Sequence, residues 1–140
     1  MTQSAATDVD VDPSGRVMIT GYICNDVCMP EGTLWLLDED GMLTWSAGIG
    51  LHQVKTLAPH AVRWHPQGYA VVASGGVKGV DSAFLIRAYE PFNFTPLWTY
   101  TRKDPNLFNI AWTVAVGAFG EVYAGGIGAN GYPAVAYVGG

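Results

Sequence analysis

Basic residues are scarce in this chain. Seven Lys and Arg stand against twelve Asp and Glu, giving a formal net charge of −5. The longest basic run is Arg102-Lys103, so the electrostatic footprint of a DNA- or RNA-binding surface is missing. Long apolar runs are missing too, and nothing approaches the roughly 18 apolar residues of a membrane-spanning helix. The opening MTQSAATDVDVDPSG has no basic head and no apolar centre, so it does not read as a secretion signal. The expectation is a cytosolic protein or a piece of a longer secreted one. Cysteine is limited to Cys24 and Cys28, in ICNDVCMPEG. That pair leaves open a small-loop disulfide, two free thiols, or a metal site completed by two further ligands. His52, His60 and His65 are present, but no two of them have a paired H-x-x-x-H spacing. No G-x-S-x-G and no phosphate loop occur. GIGANG at 126–131 leads into a strand, so it lacks the helix N-terminus that a phosphate needs. No cofactor is expected.

What is present is apolar and punctuated. Hydrophobic residues make up 49% of the 140 positions, enough for a core, and 18 Gly and 8 Pro are spread between short apolar runs. That is the pattern of many short strands joined by tight turns. The pattern repeats. Gly15, Gly68 and Gly120 fall in register, with offsets 68 − 15 = 53 and 120 − 68 = 52. Val9-Asp10-Val11, Val62-Arg63-Trp64 and Val114-Ala115-Val116 precede them, and RVMITG, YAVVASG and EVYAGG follow. TLWLLDEDGMLTW matches SAFLIRAYEPFNFTPLWTY, with Trp45 and Trp98 again 53 apart.

The unit therefore holds four strands. The first copy predicts strands at 8–12, 16–22, 33–38 and 42–46; the second at 61–65, 69–74, 83–89 and 96–101. The third predicts 112–117, 121–125 and 133–138 and lacks its fourth. DPSG and DEDG fit tight turns, with Pro fixing φ and Gly accepting a positive φ. Four-stranded repeats of 52–53 residues predict an all-β fold of antiparallel β-propeller blades. The blades are 8–46, 61–101 and 112–140, about 2.75 repeats in a single domain and an incomplete ring. A β-sandwich with accidental self-similarity is the alternative architecture.

These residues carry a resemblance. VDVDPSGRVMITGY followed by TLWLLDEDGMLTWSAGIG resembles the bacterial seven-bladed β-propeller repeat family, SBBP. The likeness runs from about residue 8 to the C-terminus. It weakens in the second copy, where His65 replaces the turn Asp, and again in the third, where GAFG stands for DPSG. The resemblance implies a propeller, commonly part of secreted or cell-surface bacterial proteins, and implies no catalytic residues. An unclosed propeller exposes strand edges that invite pairing. The expected completion is the remaining blades of a longer chain, or self-association.

In propellers the loops after the second and fourth strands gather at one end, where ligands bind. Candidate ligand-binding residues in those loops are Asp26, Glu31, His52, Lys78, Asp81 and Asn130. Loop polar residues also simply keep a surface wet. Asp8, Asp10 and Asp12 alternate as in a calcium loop, but Pro13 and Ile19 stand where such a loop wants Gly and Glu, so a strand edge and a turn explain them better. His60, at the entrance of a first strand, reads as a structural hydrogen bonder. Trp35, Trp45, Trp64, Trp98 and Trp112 read as packing between sheets; a sugar-binding platform would need an exposed ring. The functional expectation is a non-catalytic binding or structural scaffold for a protein or glycan ligand. The alternatives are part of a propeller enzyme (lyase, hydrolase or quinone-dependent dehydrogenase) and a homo-oligomeric lectin-like binder.

Overall fold

A computed structural model describes residues 3–24, 30–48, 55–78, 81–102, 109–127 and 133–139. Eleven strands and no helix occur among them. Sheet 1 runs in chain order through β1 (Gln3–Val11), β2 (Val17–Cys24), β3 (Pro30–Leu37) and β4 (Leu43–Gly48). Sheet 2 repeats this with β5 (Lys55–Trp64), β6 (Ala70–Lys78), β7 (Asp81–Tyr89) and β8 (Pro96–Arg102). Sheet 3 has β9 (Ile110–Val116), β10 (Val122–Ile127) and β11 (Pro133–Gly139). All pairings are antiparallel.

Four of the hairpin turns share one geometry. Gly15, Gly41, Gly68 and Gly120 have φ of 92°, 79°, 90° and 87°. Each glycine N–H donates to the carbonyl three residues earlier, on Asp12, Asp38, His65 and Gly117 respectively. A side chain in this left-handed region costs about 1–2 kcal/mol, so glycine punctuates every copy. The first turn residue adds a local cap. Asp12 Oδ1 accepts from the N–H groups of Ser14 and Arg16, and Asp38 Oδ1 from those of Asp40 and Met42. His65 does the same with a ring nitrogen: Nδ1 accepts from the Gln67 N–H at 3.1 Å. In the third copy Glu121 caps the Phe119 N–H from the other side, and a Cβ at Gly117 would collide with its carboxylate. GAFG thus replaces DPSG because the cap has moved to Glu121.

Alternation sends side chains to both faces of sheet 2. Ala70 and Val72 join Val62, Trp64 and Tyr89 in a core with Met18, Leu34 and Leu36 of sheet 1. Val71, Ala73, Phe84 and Ile86 join a second core with Ala111, Val114, Val122 and Ala124 of sheet 3. The first strand of a sheet is the one that packs on the sheet before it. β5 lies against β1, β2 and β3, and β9 lies against β5, β6 and β7. The period-2 pattern makes the strands; the sheets are held by these two cores.

Phe94 departs from the rule that positive φ belongs to glycine. In the longer turn between β7 and β8 it sits at φ 52°. Its ring is buried in the core between sheets 1 and 2, which offsets the strain. Phe94→Ala is expected to cost about 3–4 kcal/mol, since the packing is lost and the strain is kept. Phe94→Gly loses the same packing but relieves the strain, and is expected to be about 1 kcal/mol less destabilising than Ala. Denaturant titration of both variants checks the order, and Ala proving the milder change would overturn it.

Candidate functional site

The first strands β1, β5 and β9 are each an edge of their sheet, so one side of each has no neighbouring strand to take its N–H groups. β1 solves this for β5 with two carboxylates. Asp8 Oδ2 accepts the Val62 N–H at 3.0 Å, and Asp10 Oδ2 accepts the Trp64 N–H at 2.7 Å. The Trp64 indole N–H returns a bond to the Asp10 carbonyl at 3.2 Å. Arg63 Nη1 lies 2.7 Å from Asp8 Oδ2, with both side chains part-exposed. The alternating aspartates are therefore clamps between sheets. The periodicity placed Asp8 and Asp10 on one face of a strand, but nothing local told what that face met.

A second regularity lies along the same strands. Each carries a bulge at the equivalent point: Thr7, His60 and Trp112 are the residues skipped in the pairing with β2, β6 and β10. The steps are 60 − 7 = 53 and 112 − 60 = 52. A bulge takes a side chain off the sheet face and bends the strand over its neighbour. That explains the small residues ending each second strand. A Cβ on Gly21 would run into the Ala5 carbonyl, and one on Gly126 into that of Ile110; the second copy has Ser74 at the same register.

The bulged residues connect the three sheets. The Thr7 hydroxyl donates to the Pro59 carbonyl and lies 3.1 Å from the Thr20 hydroxyl. The His60 ring lies 4.2 Å from the Trp112 ring, tilted by 39°. His60 does not make the expected structural bond through its outer nitrogen: Nε2 is buried without a hydrogen-bond partner. Burial holds its pKa below the ordinary 6.5, because a charged ring loses its hydration there. The sign follows. Above pH 6.5 the ring is neutral in both states; below it the unfolded chain takes a proton that the folded chain resists, so stability falls as pH falls. His60→Gln is expected to flatten the dependence of melting temperature on pH between about 7 and 5; a slope equal to wild type would remove His60 as its source.

At the opposite end of the sheets, His65 does more than turn chemistry. It is buried and stacked on Tyr69, with ring centroids 4.1 Å apart. Since Nδ1 accepts from Gln67, Nε2 carries the proton and donates to the Gly120 carbonyl at 2.9 Å, joining the turns of sheets 2 and 3. Asp12 has no such reach. Its pKa is lowered: burial alone would raise it, but hydrogen bonds from Ser14 and Arg16 outweigh that. Arg16 in turn lies over the Trp64 ring, 4.8 Å from its centroid.

The candidate ligand residues fare unevenly. Glu31 sits exposed in β3, across from Ile23 on β2. Lys78 and Asp81 pair across the end of the β6–β7 hairpin, but their side chains lie outside the described residues. Asp26, His52 and Asn130 fall outside them altogether. The register does put the ends of β2 and β4 beside the starts of β1 and β3. Cys24 is buried and disulfide-bonded, and no free cysteine is found among the described residues. Cys28, the other cysteine of the chain, lies outside the described residues.

The tryptophans need a correction. Trp64 is buried, and Trp98 packs on the core between sheets 2 and 3, as packing residues should. Trp45 and Trp112 each keep 46% of their surface exposed. Both lie on strands that edge their sheets, and Trp112 is also turned aside by its bulge. Chemically, Trp112 offers an open aromatic face backed by a neutral imidazole, a surface suited to stacking a flat or sugar ring.

No protein-family model matches the chain, and no curated protein matches it. Among the described residues no helix is long and apolar enough to cross a membrane.

Proposed function

We propose that the three sheets are consecutive blades of a β-propeller of the SBBP kind, and that the protein is a non-catalytic binding or structural scaffold. The observation that carries this is the repetition of one stacking rule. Twice, the first strand of a sheet packs on the sheet before it, and all three first strands bulge at the same step, at Thr7, His60 and Trp112. A β-sandwich with chance self-similarity has no reason to place a bulge at each repeat. In this reading β1, β5 and β9 line the central axis. The ligand is a protein or glycan taken up near Trp112, whose exposed ring stands out from a row otherwise spent on joining sheets. The resemblance adds a bacterial, extracellular or cell-surface setting. Tryptophan fluorescence against a panel of oligosaccharides and cell-wall fragments tests the site. Saturable quenching that disappears in Trp112→Ala supports it. Saturable binding that Trp112→Ala leaves intact places the ligand elsewhere, and a panel without any binder leaves only a structural role.

A further inference from the structure

The edge amides of β5 and β9 are answered differently. Val62 and Trp64 stand in β5 where Val114 and Val116 stand in β9, at 62 + 52 and 64 + 52, and their cross-strand partners are Val72 and Ala70 in one sheet and Ala124 and Val122 in the other. The shared register turns the same N–H groups off the edge of both strands. In β5 the carboxylates of Asp8 and Asp10 accept them. The residues of β5 that correspond to Asp8 and Asp10, at 8 + 53 and 10 + 53, are Ala61 and Arg63. Where β5 is offered two anions, β9 is offered a methyl group and a cation.

Among the described residues no side chain or turn carbonyl accepts from the Val114 or Val116 N–H. Val114 is buried and Val116 half-buried, so the accessible donor is at Val116. Arg63 keeps donors to spare. Its Nη1 is taken by Asp8 Oδ2 and the Val62 carbonyl, but Nε and Nη2 make no bond among the described residues, and the side chain is 39% exposed. The strands around this edge are basic in an acidic chain. β5, β6, β9, β10 and β11 hold no Asp or Glu, whereas Lys55, Arg63 and Lys78 stand on β5 and β6. Glu121, just ahead of β10, is turned onto the Phe119 N–H. Trp112, with its open ring, lies four residues before Val116 on the same strand. That is roughly 13 Å of extended chain, longer than one sugar ring and within reach of a short oligosaccharide.

We infer that the ligand of the Trp112 site is an acidic glycan: one sugar ring stacks on Trp112, and a carboxylate further along the same oligosaccharide takes the Val116 N–H and the free donors of Arg63. This rests on the reading of Trp112 as a binding platform. The ligand carboxylate then fills, between sheets 2 and 3, the place that Asp10 fills between sheets 1 and 2. A guanidinium beside a backbone N–H gives an oxyanion charge-assisted hydrogen bonds. The open Trp112 ring favours a sugar over an acidic peptide as the carrier of that charge.

Calorimetric titration of the 140-residue chain with a short oligogalacturonate and with its methyl ester tests this, since the two differ in charge on one sugar backbone. The acid is expected to bind about 10-fold or more tighter than the ester, to weaken as salt rises, and to slow amide exchange at Val116. Arg63→Gln should weaken the acid by about 10-fold or more and leave the ester unchanged; damage to the fold would weaken both alike. Arg63→Asp gives the chain its own carboxylate at the position of Asp10, so it should protect the Val116 amide without ligand and abolish binding of the acid. Trp112→Ala should abolish binding of both. Equal affinity for acid and ester, lost in Trp112→Ala, overturns the inference and leaves the platform standing. Binding of the acid that Trp112→Ala leaves intact overturns both. An oligoglutamate that binds as tightly as the oligogalacturonate overturns the choice of a glycan, and a chain that binds neither sugar overturns the inference.

Discussion

Phe84→Ala is expected to lower stability by about 3–5 kcal/mol, the largest loss from any single apolar truncation in the described core. Phe84 lies in β7, in the middle of sheet 2, and is 1% exposed. Among the described residues it is the largest fully buried side chain, and it fills the space between sheet 2 and sheet 3 with Val71, Ile86, Val114 and Val122. Removing the ring forfeits its transfer free energy and leaves a cavity walled by two strand layers. Hydrogen-bonded strands cannot slide independently to fill such a gap, so the site collapses poorly. A melting temperature drop on the order of 10–20 °C corresponds to that loss. Phe84→Leu keeps most of the volume and should fall well short of the Ala effect. Guanidinium titration of both variants is the check. A loss below about 1 kcal/mol for Ala would mean that sheet 3 does not close over Phe84.

Asp10→Ala is expected to cost about 2–3 kcal/mol, although Asp10 lies on an edge strand. The carboxylate takes the Trp64 N–H at 2.7 Å, and β5 has no strand on that side to replace it. Trp64 is itself buried, at 8% exposure, so the orphaned donor would not find full hydration. Asp10→Asn keeps an oxygen acceptor and should recover about half of the loss. Site-resolved amide exchange gives a sharper readout. The Trp64 amide should exchange faster in Asp10→Ala, while the Val62 amide, held by Asp8, should stay protected. Equal acceleration of both amides would show the two sheets parting as a whole, and no change at Trp64 would show that the clamp is not made.

The candidate site shows where local reading stops. Asp8, Asp10 and Asp12 were visible as an alternating acidic run, and the turn role of Asp12 follows from its neighbours Ser14 and Arg16. The partners of Asp8 and Asp10 lie 54 residues away, beyond any local pattern. The bulges were equally hidden. Thr7, His60 and Trp112 share no chemistry, so no motif links them, and only the pairing register reveals one position used three times. A clue existed in the small residues Gly21, Ser74 and Gly126, which mark where an inner strand crosses closely. Trp45 and Trp112 show the converse error: apolar type and repeat position argued for burial, but edge strands and a bulge leave both rings partly open.

The sequence by itself determined the strands, their order and their turns. Those depend on period-2 alternation and on glycine at positive φ, interactions that span a few residues and are written in adjacent letters. The spacing of 52–53 residues likewise required three like sheets without any contact being known. Tertiary structure alone decided which face of each sheet meets its neighbour and which carboxylates serve another strand's amides. Alternation makes two faces for every strand and labels neither. The face that is buried is chosen by the shape and the hydrogen-bond needs of a sheet some fifty residues further along the chain.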